Sequence, residues 1–316
     1  MVSRRGAVTT AIGALGPYIE SFDLVMQVNG RSARTREMYT DIARWFAGWL
    51  TDHGVGSWEQ VGKTQLRQFF LHTDELGYAK AYRNNIGRCL QAFFKFLAEE
   101  EQLPDPFDDM KPPPPPKLGE NPAPVLEPEV LARILKPIES ARDFRSRRDT
   151  ALIRFLAGTG CRVAEVAGLD PDRVDVRART ATVTGKGNKT RTVRFDQKCA
   201  LALDRYLRAR AGHLAAGGRG ADPRALWIGW RVRSRMTTSG IRQMVERRGE
   251  AAGVDLWPHL FRHTFSHNWL DSGGAEGDLL ELNGWESAAM LGLYGRSARG
   301  ARARRAYDRI DVMRGV

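Results

Sequence analysis

Five short stretches in the second half of the chain carry polar side chains suited to work on a phosphate ester. Arg162 and Glu165 stand three apart just after the turn Gly158-Thr159-Gly160, so a helix starting there puts them on one face. Lys186 sits between Gly185 and Gly187 in a run flanked by β-branched residues. His259 and Arg262 repeat the three-residue spacing directly after Pro258, a favoured first residue of a helix. Trp285 follows Asn283-Gly284, and Tyr294 comes nine positions later. A guanidinium offers a rigid fork of donors and stays protonated. Two of them suit the non-bridging oxygens of a phosphate, where charge builds during in-line attack. A lysine on a mobile turn can give a proton to a leaving oxygen, and a histidine can accept or orient one. Taken singly, each residue also has an ordinary explanation: a surface ion pair, a turn lysine, a core tyrosine.

The elements that must hold these residues form a mixed domain over 125–295. A helix over 148–157 stops at Gly158 and Gly160, and another starts over 162–167. Residues 173–176, 180–184 and 190–195 alternate with β-branched residues and read as three short strands, the last two joined by a tight turn at 185–188. Helices follow at about 197–211, 238–252 and 258–271, and shorter helical pieces lead to Tyr294. The expected class is α+β, mainly α, with a small three-stranded antiparallel sheet.

Residues 17–105 read as an all-helical domain. Met38, Tyr39, Ile42, Trp45, Phe46, Trp49 and Leu50 recur at helical spacing, as do Leu66, Phe69 and Phe70. Tyr82, Ile86, Cys89, Leu90, Phe93, Phe96 and Leu97 make a third helix. Away from that apolar stripe lie Lys80, Arg83, Asn84, Arg88, Gln91 and Lys95, with no acidic residue among them until Glu99. A DNA-binding stripe and a merely solvated face both fit this row. Residues 106–124 contain the consecutive prolines Pro112–Pro116, which lack amide donors and favour polyproline II, so they read as a semi-rigid linker. Extended throughout, Lys111–Pro124 would span roughly 40 Å. Residues 1–16 read as an N-terminal tail. Residues 296–316 read as a basic tail in which Arg296, Arg299, Arg302, Arg304 and Arg305 face DNA, dock a neighbouring subunit or are simply solvated.

Charge narrows the partner. The chain holds 49 Lys and Arg against 37 Asp and Glu, a formal net charge of +12. That points to a polyanion, with nucleic acid ahead of a membrane. Cys89, Cys161 and Cys199 are far apart and lack metal-ligand spacing, which argues against a disulfide framework and fits a reducing, cytoplasmic location. His259, His263 and His267 are spaced by four, but no acidic ligand adjoins them and H-E-x-x-H is absent, so neither a metal nor another cofactor is expected. No apolar run reaches the roughly 18 residues of a membrane span. Ser3-Arg4-Arg5, followed by a weakly apolar stretch to Gly16, is similar to a twin-arginine export signal but lacks a small-residue cleavage site.

Taken in order, the five stretches are similar to the signatures of one family. Gly158-Thr159-Gly160-Cys161-Arg162-Val163-Ala164-Glu165 resembles the first signature of the tyrosine site-specific recombinases, the phage-integrase family. Gly185-Lys186-Gly187 resembles their catalytic lysine hairpin. His259-Leu260-Phe261-Arg262-His263-Thr264-Phe265 resembles their His-x-x-Arg signature. Leu282–Trp285 and Met290–Tyr294 resemble the segment that ends in the nucleophile. The helical first half resembles the family's core-binding domain.

The resemblance implies that Tyr294 attacks a DNA phosphate, giving a 3′-phosphotyrosyl enzyme and a free 5′-hydroxyl. Arg162 and Arg262 then clamp the phosphate with Glu165 orienting the first, and Lys186 is the general acid. His259, supported by His263, is the base or orienting group. At Trp285 most members have histidine after Leu-Gly. Tryptophan donates one hydrogen bond but transfers no proton, which leaves phosphate contact and packing as its roles. The covalent link conserves the phosphodiester energy, so strands rejoin without ATP or metal.

The resemblance further implies double-stranded DNA as partner, a homotetramer on two DNA sites, and an accessory directionality protein, for integration, excision or resolution. With residues 1–16 ahead of the first domain, an added arm-type DNA-binding domain is not expected. Type IB topoisomerases share the chemistry. An inactive DNA-binding regulator of the same fold would lack a catalytic residue. A phosphatase or nuclease of another fold would not show the ordered signatures. Tyr307 lies outside the spacing expected of the nucleophile.

Overall fold

The computed structural model describes residues 12–117, 124–217 and 219–288, together with 291, 300, 303–304 and 307–308. The chain forms two compact units that divide between Lys117 and Leu118.

The first unit is all helix among its described residues: α1 (Gly16–Val28), α2 (Ala33–Asp52), α3 (Lys63–Glu75) and α4 (Lys80–Glu101), with 3₁₀ turns at Gly13–Leu15 and Trp58–Gln60. The apolar periods expected in α2, α3 and α4 are the buried faces, and Phe46, Trp58, Phe69, Phe93 and Phe94 pack ring against ring. Helix α1 was not evident from sequence. It buries Ile19, Phe22 and Met26 but leaves Leu24 and Val28 exposed, which blurs its amphipathic pattern.

Two boundaries differ from expectation. Leu15, in the expected tail, is fully buried, and its carbonyl accepts from Trp58 Nε1 at 3.1 Å. The expected linker begins on the surface of this unit. Phe107 is buried in the aromatic core, Asn84 Nδ2 donates to the Pro113 carbonyl at 2.7 Å, and Pro112 and Pro113 pack against Gly87. A Cβ at Gly87 would stand 2.6 Å from Pro112 Cβ, so the prolines are held where α4 has no side chain.

The second unit contains α5 (Pro128–Glu139), α6 (Phe144–Thr159), α7 (Val163–Ala167), strands β1 (Val174–Asp175), β2 (Thr180–Thr184) and β3 (Thr190–Arg194), then α8 (Gln197–Ala215), α9 (Thr238–Ala251), α10 (Pro258–Asp271) and α11 (Glu276–Asn283). The class is mainly helical with a three-stranded antiparallel sheet in the order β1-β2-β3. Helix α6 runs through the core, where Leu152, Phe155 and Leu156 cluster with Leu203, Tyr206 and Trp227. It is longer than expected because Asp143 Oδ1 caps it, accepting from the Ser146 amide at 2.9 Å, and it ends only at Gly160 with φ +62°. Helix α5 carries Pro137 in its last turn, which hid it in the sequence. Pairing β2 with β3 sets Ala181 opposite Val193 and Val183 opposite Arg191. Ala181, Val183 and Val193 are buried, so the sheet presents one apolar face to the core, and Arg191 shares it.

Candidate active site

The site begins where α6 stops. A Cβ at Gly160 would lie 2.6 Å from the Phe265 ring, so only glycine makes this turn against α10. Two residues on, Arg162 is the N-cap of α7. Its amide donates to Glu165 Oε2 at 2.8 Å and its Nη1 to Glu165 Oε1 at 3.0 Å. The three-residue spacing thus both caps the helix and orients the guanidinium. Arg162 Nη2 reaches the Gly284 carbonyl at 3.4 Å, and the side chain is 39% exposed.

Glu165 is buried, with its side chain 2% exposed. Burial alone would raise its carboxyl. The Arg191 guanidinium, the Arg162 amide and the Arg162 guanidinium outweigh that and hold it below the usual carboxylate range. Arg191 is the residue the sequence reading missed. It donates from Nη1 to Glu165 Oε1 at 2.8 Å, from Nη2 to Glu165 Oε2 at 2.9 Å, and from Nε to the Leu282 carbonyl at 2.9 Å. Strand periodicity held a signal for it, since Arg191 and Val193 fall on one face and a charge on the apolar face of a strand needs a buried partner.

Arg262, on α10, is 1% exposed. Its Nη1 donates to the Gly160 carbonyl at 2.9 Å and its Nη2 to the Asn283 carbonyl at 2.7 Å. Asn283 is fixed in turn by its Nδ2 donating to Ser266 Oγ at 3.0 Å. The Trp285 ring lies 5.2 Å from the Arg262 guanidinium carbon, in cation–π range, and packs with Leu270 and Leu279. The unusual tryptophan therefore serves as a wall against which the second arginine rests. His259 is exposed at the first turn of α10 and His263 is half-buried one turn on, their rings perpendicular at 4.7 Å. Desolvation of the packed part of its ring, then the charges of Arg262 and Arg162, lower the pKa of His259. Burial, His259 and Arg262 bring His263 down to about 4.

Lys186 begins the turn Lys186–Asn188 between β2 and β3, where Gly187 has φ +71° and the Gly185 amide donates to the Lys189 carbonyl at 2.8 Å. Arg162, Gly185, Gly187, Arg191, Gly284 and Trp285 line one cleft of about 610 Å³. The structure thus brings together the start of α7, the β2–β3 turn and the end of α11. Tyr294 and the side chain of Lys186 lie outside the described residues, as do Arg296, Arg299, Arg302 and Arg305 of the basic tail. Arg304 is exposed, and Tyr307 is 65% exposed. Among the described residues no group of three or more His, Cys, Asp or Glu side chains is arranged to hold a metal ion.

In the first unit, Lys80, Arg88, Gln91 and Lys95 are exposed on α4. The other two members of the row have internal partners: Arg83 pairs with Asp74, and Asn84 holds Pro113. Lys95 meets Glu99 at 3.4 Å.

The sequence model of the phage integrase family matches residues 124–300, more than half of the chain. The chain belongs to that family, the tyrosine recombinases. It is similar to tyrosine recombinase XerA of Thermococcus kodakarensis, 28% identical over 277 residues that cover 87% of this chain and 89% of that one. It is also similar to tyrosine recombinase XerC of Azotobacter vinelandii, at 29% identity over 76% of this chain and 78% of the relative. Among solved structures, the Tn1549 transposon integrase in complex with transposon right end DNA has a TM-score of 0.69 at 19% identity, covering 93% and 99% of the two chains. The XerH recombinase bound to difH substrate has a TM-score of 0.64 at 18% identity, covering 90% and 83%. These structural likenesses establish the fold.

Proposed function

We propose that this recombinase cuts and rejoins double-stranded DNA at specific sites through a 3′-phosphotyrosyl link formed by Tyr294. The observation that carries the reading is the single cleft lined by Arg162, the lysine turn and Trp285, in a chain of this family. Arg162 is the outer arm of the phosphate clamp and Arg262 the inner one, fixed from behind by two backbone carbonyls. Their charges offset what accumulates on the non-bridging oxygens as Tyr294 attacks. Lys186 gives a proton to the departing 5′-oxygen. His259, whose lowered pKa leaves it neutral at pH 7, receives or orients the tyrosine proton. Trp285 holds Arg262 in place and closes the cleft. The free 5′-hydroxyl of a second duplex then attacks the phosphotyrosine and restores a phosphodiester, so the exchange needs neither ATP nor metal. Exposed Lys80, Arg88, Gln91 and Lys95 contact backbone phosphates in this reading, and four copies of the chain act on two sites in the cytoplasm, with an accessory protein setting direction.

The test is incubation with suicide duplexes carrying a nick beside the cut site, in excess chelator. A covalent adduct stable to denaturing electrophoresis is expected. A mobility shift without adduct would identify an inactive regulator. Relaxation of any supercoiled plasmid regardless of sequence would identify a topoisomerase. A divalent ion required for the covalent step would contradict the mechanism.

A further inference from the structure

We infer that Arg191 is a positioning residue for the phosphate clamp, acting through Glu165 on Arg162. The inference rests on the clamp role of Arg162 given above. Glu165 uses both oxygens twice. Oε1 accepts from Arg162 Nη1 and Arg191 Nη1, and Oε2 from the Arg162 amide and Arg191 Nη2. Arg191 thus takes a second acceptor position on each oxygen, beside the one that Arg162 takes, and it does so as a planar two-point fork. Its orientation is fixed at the other end by the Leu282 carbonyl. Its stem passes Gly284, where a Cβ would lie 3.2 Å from Nη1 and 3.4 Å from Cδ. Gly284 also offers its carbonyl to Arg162 Nη2. One side chain on β3 therefore ties together the start of α7 and the chain leaving α11.

Removing Arg191 would leave a carboxylate only 2% exposed with a single charged partner. Such a group must either pull Arg162 inward or take a proton. The groups facing it would then be Arg162 on its own helix and the Cys161 thiol, which burial keeps neutral with a pKa of about 11. Glu281 and Arg262 lie beyond, the first acting on Arg191 and the second on Cys161. The contrast with the unit's other buried ion cluster supports a functional placement. Asp149 binds Arg148 and Arg248, and Arg148 continues inward to the Ile228 carbonyl at 3.3 Å. Glu165 instead hands its geometry to an arginine 39% exposed that lines the cleft.

The experiment measures single-turnover cleavage of suicide DNA across pH, scaled to the folded fraction, for the wild type and Arg191→Met. The methionine keeps the apolar stem and removes the fork. Cleavage by Arg191→Met at neutral pH should fall about 10²-fold, the size expected of a misplaced catalytic group. The rate should also gain an acid limb absent from the wild type, lost as pH falls through the raised Glu165 value. Glu165→Gln on the Arg191→Met background should remove that limb. A bridging 5′-phosphorothiolate should not restore the Arg191→Met rate, since the defect lies at the non-bridging oxygens. Where the methionine variant is insoluble, Arg191→Lys, which keeps the charge and loses the fork, is read the same way. A wild-type rate and pH profile would overturn the inference, as would rescue by the thiolate or a loss matched by the unfolded fraction alone. No adduct from the wild type would sink the recombinase reading and this inference with it. An adduct from both chains with identical profiles would sink this inference only.

Discussion

In the first unit Phe46, Trp58, Phe69, Phe93 and Phe94 are buried in mutual contact, and Thr40 and Thr73 are the buried polar side chains among its described residues. The second unit buries Arg148, Asp149, Glu165, Arg210, Arg262 and Asn283. Apolar area is non-directional, so it fixes a core without fixing any one atom to better than packing requires. Buried guanidiniums bonded to carboxylates and carbonyls are costly to desolvate, yet they define where each nitrogen lies. The first unit, whose proposed DNA contacts are exposed side chains on α4, uses the first means. The second unit, which holds the proposed phosphate clamp, uses the second.

The sharpest way to separate shape from aim is Tyr294→Phe, which removes one oxygen. Covalent adduct should vanish entirely while melting and DNA mobility shifts stay as in the wild type. Tyr307→Phe, at a position 65% exposed, should retain cleavage. Adduct from the Tyr294→Phe chain would reject the nucleophile assignment. Next in size is Lys186→Ala, expected to slow cleavage about 10²–10⁴-fold, the usual range for a lost general acid. A bridging 5′-phosphorothiolate leaves without needing the proton, so it should restore most of that rate. It should not restore Arg162→Ala to the same extent, and equal rescue of both would reduce Lys186 to electrostatic support.

Two stability variants compare the units directly. Asp149→Ala strands Arg148 and Arg248 and should cost about 3–5 kcal/mol in denaturant melts, with cleavage per folded molecule preserved. Phe93→Ala in the other core should cost about 3–5 kcal/mol by leaving a cavity. Cleavage lost beyond the folded fraction in Asp149→Ala would erase the distinction between the two ion clusters.

The smallest expected effect is one of pH. His263 is held at about 4 against an ordinary value of 6.5, so between those values the unfolded chain takes up a proton that the folded chain refuses. Stability should therefore fall as pH drops through that window and level off below it. Glu165, lowered instead from a carboxylate value, stabilises above its ordinary range, and that contribution disappears as pH falls further through its folded value. His263→Gln should flatten urea-melt stability between pH 6.5 and 4. An unchanged slope there would reject the burial of His263 as its cause.

What could be read from the sequence was local. Arg162 and Glu165, the glycine-flanked Lys186, and His259 with Arg262 are each a few residues long, and their helices and strands follow from period and turn chemistry. What could not be read depends on partners distant in the chain. Arg191 falls on the apolar face of its strand, which calls for a buried partner, but strand period alone does not say that the partner is Glu165, 26 positions earlier. Asn84 looks like a groove-facing amide until Pro113, 29 positions later, returns to it. The proline run read as a spacer because its composition says nothing of the bare glycine on α4 where it comes to rest.

The three cysteines have a use apart from structure or catalysis. All are buried and free. Burial pushes the Cys89 thiol up to about 12 and Cys161 to about 11, and raises Cys199 as well. A thiol must ionise and meet solvent before it can be alkylated, so capping of each has to wait for its surroundings to open. The chain therefore contains three built-in clocks: Cys89 on α4 times the aromatic unit, and Cys199 on α8 times the core of the other. Cys161, whose sulfur lies 4.0 Å from Arg191 Nη2, times the loosening of the turn that carries Arg162.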